Sequence, residues 1–177
     1  MADKDFLEIL LNRRSVRRYT GEFLPDEALK KILRAGLLSP TGRNTRSWEF
    51  VVIQEPERLK QLSGCRDGAA NMLEKAGCAV LVFGDSRKTD TWEEDCSIAM
   101  SNMHLMAESL GFGSCWIQGR LRKTADGRTT EEFCRELCSV PEFYRLEAVL
   151  SIGVTEQHPE PHRLEEADMS KVHYEKF

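Results

Sequence analysis

Four arginines stand within six positions near the start of the chain, in the stretch RRSVRR, which comprises Arg13, Arg14, Ser15, Arg17 and Arg18 around one valine. A guanidinium group is a planar fork of donors that matches the oxygens of a phosphate, and a serine hydroxyl adds one more donor. The whole chain is acidic, with a formal net charge of -4, so this concentration of positive charge indicates a specific anion.

The spacing of these residues decides which side chains can act on one ligand. Val16 and Tyr19 favour an extended segment after the first helix, and in such a segment successive side chains point to opposite sides. Arg13, Ser15 and Arg17 then share one side, whereas the other two arginines share the opposite side. The pattern R-x-S-x-R therefore predicts a grip on one phosphomonoester.

The arginine cluster has two other interpretations. Cations near the C-terminus of a helix are stabilising by roughly 0.3–1 kcal/mol, which accounts for Arg13 and Arg14 but not for Arg18. Nucleic-acid binding needs several neutralised phosphates. The chain is acidic and no second basic cluster accompanies the first, so we expect no nucleic-acid partner.

Composition places the chain among globular proteins. With 177 residues, 41% of them hydrophobic and 31% charged, it is expected to form one domain over residues 1–177. No apolar stretch approaches ~18 residues, so we expect no membrane span, and the start MADKDFLEIL is unlike a signal peptide. The six cysteines are scattered through apolar stretches, which predicts reduced core thiols, no metal site and a cytoplasmic location.

The order of elements predicts an α+β fold in which helices pack on a sheet. Helices are predicted at DKDFLEILLNR, LPDEALKKILRAGLLSP, PERLKQLS, NMLEKAG, residues 91–110 and TTEEFCRELC. Strands are predicted at WEFVVIQ, CAVLVFGD, SCWIQG and LEAVLSIGV, and the unbroken apolar run of the second is typical of burial on both faces. Gly111 and Gly113 form only G-x-G after a helix, which does not predict a dinucleotide fold.

A second polar motif, SPTGRNTRSW, follows the second helix and precedes the first strand. Its hydroxyl and amide groups are suited to hydrogen-bonding the edge of a heterocycle. Pro40 and Gly42 also explain the motif as a simple helix stop and turn. The motif alone does not decide between these two interpretations.

Taken in order, these stretches resemble the flavin-dependent nitroreductase family. The resemblance begins with RRSVRRYTGEFLPDEALKKILRAGLLSPTGRNTRSWEFVVI and continues through AGCAVLVFGD, DCSIAMSNMHLMAESLGFGSCWIQG and LSIGV. It implies a central mixed, mainly antiparallel sheet flanked by helices. It also implies an intertwined homodimer that holds FMN at the interface of its subunits.

The same resemblance implies the residues that bind the cofactor. Those on the ribityl phosphate and the pyrimidine side of the flavin would be Arg13, Arg14, Ser15 and Arg17. Those that line the ring from the other subunit would be Pro40, Thr41, Gly42 and Asn44. After the strand CWI would come Gln118 and Gly119, with a backbone N–H near Gly119 facing the flavin N5, and Arg163 would close on the phosphate.

The chain departs from the family pattern at Arg46 and Ser47, where Gln-Pro is common. Arg46 would add a charge that alters the flavin potential or favours an anionic substrate. The segment 155–177 has too few apolar residues for a core of its own, so we expect a C-terminal extension that packs on the partner subunit. His104, within the long helix, is expected in the core or at an interface.

The function implied by the resemblance is that of an FMN-dependent oxidoreductase. Electrons from NAD(P)H would pass by a ping-pong mechanism to a small conjugated acceptor such as a nitroaromatic or a quinone. The cofactor carries the chemistry, so no catalytic protein nucleophile is expected. The alternatives are an FMN-binding redox sensor or flavin carrier without efficient turnover, and a small polyanion-binding protein that uses the arginine cluster.

Overall fold

A computed structural model describes residues 5–177. The sequence places Asp3 or Asp5 to cap the first helix, and Asp3 lies outside the described range. The helices within it are α1 Phe6–Asn12, α2 Asp26–Leu37, α3 Pro56–Leu62, α4 Trp92–Ser109 and α5 Thr130–Cys138. The strands are β1 Trp48–Ile53, β2 Cys78–Asp85, β3 Gly113–Gln118 and β4 Tyr144–Gly153. These bounds confirm the predicted elements, except that NMLEKAG forms a short 3-10 helix, Asn71–Lys75.

The sheet has the strand order β1-β2-β4-β3, and every ladder in it is antiparallel. All eight residues of β2 are buried, as its unbroken apolar run predicted. A parallel bridge between Ser15 and Ser114 adds the arginine segment to the outer edge of β3. The predicted mixed, mainly antiparallel sheet is therefore confirmed, with this bridge as its parallel part.

Helices cover both faces of the sheet. On one face, α4 buries the stripe Cys96, Ala99, Met100, Met103 and Ala107, and α2 packs beside it. A Cβ atom on Gly36 of α2 would lie 2.9 Å from Met103, so the close approach of these two helices requires glycine there. On the other face, α3 and α5 pack against a second apolar cluster.

Local signals fix the ends of two helices. Gly111 ends α4 with a φ of +83°, a conformation that favours glycine. Thr129 and Glu132 form a reciprocal capping box at the start of α5. The six cysteines are all free, as predicted, and burial raises the pKa of the Cys78 thiol to about 12. Within residues 5–177, no helix combines the length and the apolar character needed to cross a bilayer.

Two regions leave apolar side chains in contact with solvent. The predicted apolar face of α1 is exposed at Phe6 and Leu10, and Asp5 at its start makes no side-chain cap bond. The tail beyond residue 163 exposes Leu164, Met169, Val172, Tyr174 and Phe177. The packing of this segment on a partner subunit therefore stays a prediction.

Candidate functional site

The arginine segment lies against the start of β3. The N–H of Val16 donates to the carbonyl of Ser114 at 2.9 Å, which fixes the segment beside this strand. Burial raises the pKa of Cys115 on β3, and the charges of Arg17 and Arg13 together with a hydrogen bond from Ser15 oppose that rise. Ser15 is bridged to Ser114, and the charges of Arg13 and Arg17 both act on Cys115, so these three residues lie along the start of β3.

The alternate arginines lie on the other side of the segment. Arg14 donates to the carbonyl of Glu160, and Arg18 donates to Oε1 of Gln157 at 3.3 Å. Both contacts hold the beginning of the C-terminal tail against its own chain. Arg14 and Arg18 therefore lie on the opposite side of the segment from Arg13, Ser15 and Arg17, as alternation along an extended segment predicts.

A cavity of about 400 Å³ opens beside Arg17 at the start of β3. Its lining includes Arg17 and Cys115, together with Arg66, Asn71 and Trp116, which the sequence analysis did not single out. Arg66 adds a further positive charge near Cys115. Asn71 begins the 3-10 helix before β2, and only the tertiary fold brings that helix to the edge of β3.

His104 connects the arginine segment to α4. Its Nε2 atom lies 3.2 Å from Nη1 of Arg13, and its Nδ1 atom is hydrogen-bonded with the hydroxyl of Ser114. Burial and then the charge of Arg13 lower the pKa of His104 to about 4. The imidazole is consequently neutral at physiological pH, and its burial agrees with the expected position in the core or at an interface.

The outer edge of β3 presents backbone groups from alternate residues. Because Ser114 uses its carbonyl on this edge, the N–H groups of Trp116 and Gln118 face the same way. The N–H of Gly119 instead donates to the carbonyl of Glu147 at 3.1 Å. The N–H that is available near Gly119 is therefore that of Gln118, because the N–H of Gly119 itself is taken by β4.

A β-bulge explains why Glu147 takes that bond. Val82 pairs with Ala148 while the next residue, Phe83, pairs with Leu146, so Glu147 is the extra residue in β4. Its carbonyl accepts from Gly119 and also from Arg120 at 2.9 Å. These two hydrogen bonds fix the end of β3 and so set the direction in which the N–H of Gln118 faces.

The side chain of Glu147 is buried behind Gln118. Its Oε1 atom accepts from Gln118 and from Ser97, both at 3.4 Å, and Oε2 has no hydrogen-bond partner. The indole N–H of Trp116 donates to Oε1 of Gln118 at 2.8 Å, which continues the network along the strand. Burial raises the pKa of the Glu147 carboxyl, opposed by Gln118 and Arg120 and reinforced by Glu93.

Replacing Glu147 with glutamine is expected to stabilise the protein at alkaline pH. A carboxyl whose pKa is raised by folding contributes its stability below its unfolded pKa and loses it as the pH rises through the folded value. The melting temperature of Glu147→Gln should therefore exceed that of the parent at pH 8, and the difference should shrink toward pH 5. Differential scanning calorimetry measures both, with the exposed Glu57→Gln as control. A difference that does not vary with pH would contradict the expectation.

The loop of residues 40–46 is anchored at the opposite end of α4. Buried Asp95 accepts from the N–H of Gly42 at 2.8 Å and from the hydroxyl of Thr45 at 3.4 Å. Asn44 and Arg46 have positive φ values of 55° and 46°, and Nε of Arg46 donates to Oδ1 of Asn44 at 3.1 Å. Such left-handed backbone is costly for residues other than glycine and is found most often at functional sites.

Not all of the predicted cofactor residues come together within one chain. Asp95 anchors the loop that contains Thr41 and Gly42. It lies nine residues before His104 on α4, a separation of about 14 Å along the helix axis. Pro40, Asn44 and Arg46 are exposed. Arg163 is also exposed and lies 3.7 Å from Glu166 in the tail. One chain therefore holds Arg13 near one end of α4 and the loop near the other end.

The comparisons with known proteins agree with this geometry. The model of the Nitroreductase family matches residues 10–67 and 60–154. The chain belongs to the nitroreductase family. The family match includes the arginine segment, the loop and all four strands, whereas Arg163 lies beyond it.

Individual members of the nitroreductase family resemble the chain over nearly its whole length. An Archaeoglobus fulgidus protein, provisionally named NADH dehydrogenase/NAD(P)H nitroreductase, is 30% identical, covering 98% of this chain and 99% of that protein. The structure of an FMN-dependent nitroreductase from Clostridium difficile has a TM-score of 0.93 and 39% identity, covering 97% of this chain and 99% of that one. A provisionally named nitroreductase in complex with FMN from Desulfovibrio desulfuricans has a TM-score of 0.78 and 25% identity, with 99% of each chain covered.

Proposed function

We propose that this chain is an FMN-dependent oxidoreductase that transfers electrons from NAD(P)H to a small conjugated acceptor. The observation that carries the proposal is the position of Arg13, Ser15 and Arg17 along the start of the exposed edge of β3. The names of its nitroreductase relatives, which include FMN and NAD(P)H, support it.

The residues present fit a flavin mononucleotide. The guanidinium group of Arg13 and the hydroxyl of Ser15 form a donor set suited to a phosphate dianion. From that set the edge of β3 leads to the N–H of Gln118, four residues beyond Ser114 and about 13 Å away at the rise of a strand. A phosphate donor set at one end and a free backbone donor at the other suit an elongated cofactor with a charged tail and a heterocyclic head.

The roles of the chain's own residues follow from this placement. Bound FMN would supply the redox chemistry, accepting a hydride and passing electrons to the acceptor. Arg13 and Ser15 bind the phosphate, and the N–H of Gln118 orients the ring. Arg17 borders the cavity and provides positive charge there, as an oxyanion-stabilising group does. Both substrates use one opening in turn, which is a ping-pong scheme, and no protein nucleophile is required.

Two copies of the chain complete each site in this proposal. The exposed loop of residues 40–46 lies away from Arg13 and Ser15 of its own chain. It therefore lines the site of the partner subunit with Pro40, Thr41, Gly42 and Asn44. The exposed apolar residues of α1 and of the tail provide the surface that two subunits would bury. Arg46, exposed on the loop, brings its charge close to the ring and favours an anionic acceptor.

The absorption spectrum of the purified protein tests the proposal. After incubation with FMN and removal of the excess, we expect a yellow protein that bleaches with NADH or NADPH and regains its colour when a quinone is added. Repeated turnovers with excess NAD(P)H and quinone identify an enzyme. Bleaching without repeated turnover would favour a flavin-binding sensor or carrier, and a protein that stays colourless would overturn the proposal.

A further inference from the structure

The contact between His104 and Arg13 determines the protonation of the imidazole. Arginine only donates hydrogen bonds, so Nε2 of His104, 3.2 Å from Nη1 of Arg13, must offer its lone pair. The proton of the neutral ring then resides on Nδ1, which donates to the hydroxyl of Ser114. Both nitrogens are thereby committed, and the ring is held between the arginine segment and β3.

The surroundings of His104 leave it as a neutral acceptor. Glu108 lies one turn further along α4, and its carboxylate is engaged by His158 of the tail at 3.0 Å. Arg13 is the charged group that contacts the imidazole from the arginine segment, and Ser114 contacts it from β3. Burial together with the charge of Arg13 lowers the pKa of His104 to about 4, which keeps the acceptor neutral at physiological pH.

A neutral acceptor has a specific consequence for anion binding. A carboxylate in this position would form an ion pair with Arg13 and compete with a phosphate for the guanidinium charge. An imidazole fixes the direction of the guanidinium through one N–H and leaves its positive charge and its remaining donors for a ligand. The arrangement therefore orients the arginine without neutralising it.

We propose that His104 is a positioning residue that presents the guanidinium of Arg13 to the phosphate of the cofactor, an inference that rests on the function proposed above. His104 touches neither the phosphate nor the ring and acts only through Arg13. Its loss is therefore expected to weaken the binding of a flavin that has a phosphate and to spare the binding of one that lacks it.

Comparing FMN with riboflavin, which lacks the phosphate, tests this inference by titration of flavin fluorescence. For His104→Leu we expect the dissociation constant for FMN to rise about 10-fold, the effect of losing one charge-assisted hydrogen bond. Riboflavin binding should change less than about 2-fold by the same scale. His104→Gln, which keeps an acceptor for Arg13, should recover most of the FMN affinity. His104→Glu should lose FMN affinity because its carboxylate neutralises Arg13.

The outcomes distinguish the inference from the function on which it rests. If the parent protein binds FMN no more tightly than riboflavin, the proposed phosphate grip is wrong. If the parent discriminates, Arg13→Ala abolishes the discrimination and His104→Leu retains it, the positioning role alone is wrong. Circular dichroism shows whether each variant is folded.

A measurement on the unmodified chain keeps the inference testable even if the leucine variant does not fold. Nitrogen-15 NMR of histidine-labelled protein distinguishes a ring protonated on Nδ1 from one protonated on Nε2. Comparison with His104→Gln assigns the signal. We expect His104 to carry its proton on Nδ1 at pH 7, and a proton on Nε2 would overturn the inference because Arg13 could not then donate to it.

Discussion

Replacing Arg13 with alanine is expected to raise the dissociation constant for FMN by about 100-fold. Arg13, Ser15 and Arg17 all lie near Cys115, and a hydrogen bond to a charged group contributes roughly 1.5–3 kcal/mol, or about 10- to 100-fold in binding. Ser15→Ala, which removes one hydroxyl donor, should cost about 10-fold by the same reasoning. Fluorescence titration with apoprotein measures both constants.

Arg18→Ala is the matched control for this prediction. It removes the same charge three residues beyond Ser15, but its guanidinium donates to Gln157 of the tail rather than toward the cavity. We expect its FMN affinity to stay within about 3-fold of the parent, since a screened charge on the far side contributes little. Equal losses in Arg13→Ala and Arg18→Ala would show that the cluster acts as diffuse charge, and a steep salt dependence would then favour polyanion binding.

Removing residues 164–177 is expected to convert the proposed dimer into monomers at micromolar concentration. This tail exposes Leu164, Met169, Tyr174 and Phe177 within a single chain, an unusual set of large apolar side chains for a surface that stays in water. Burying one such side chain contributes roughly 1.5–3 kcal/mol, so the loss of several is expected to raise the dimer dissociation constant more than about 1000-fold. Sedimentation velocity measures the change, and FMN should be lost with the dimer because the loop of the partner leaves the site.

A milder variant guards against a general effect of truncation. Tyr174→Ser combined with Phe177→Ser keeps the length of the tail, and we expect it to weaken the dimer by about 100-fold or more. Leu121→Ser removes a side chain that is equally exposed, at 78%, but lies between β3 and α5 rather than in the tail. It should leave the oligomeric state unchanged. A truncated chain that remains a dimer would contradict the proposed role of the tail.

Local patterns in the sequence predicted most elements of this fold. The unbroken apolar run of β2, the 3.6-residue stripe of α4 and the capping box at Thr129 each depend on residues close together in the chain. The division of the arginines has the same origin, because alternation along an extended segment depends only on adjacent residues. For that reason the placement of Arg13, Ser15 and Arg17 on one side of the segment was predictable before the fold was known.

Long-range contacts decided what the sequence could not show. Arg66 and Asn71 border the cavity only because the sheet order carries β3 to the outer edge, beside the segment that precedes β2. The N–H of Gly119 donates to the carbonyl of Glu147 because of a bulge at Glu147, 28 residues further along the chain. The position of His104 between Arg13 and Ser114 requires α4 and β3 to pack side by side. Such contacts join groups distant in the chain, so composition, periodicity and spacing carry no signal for them.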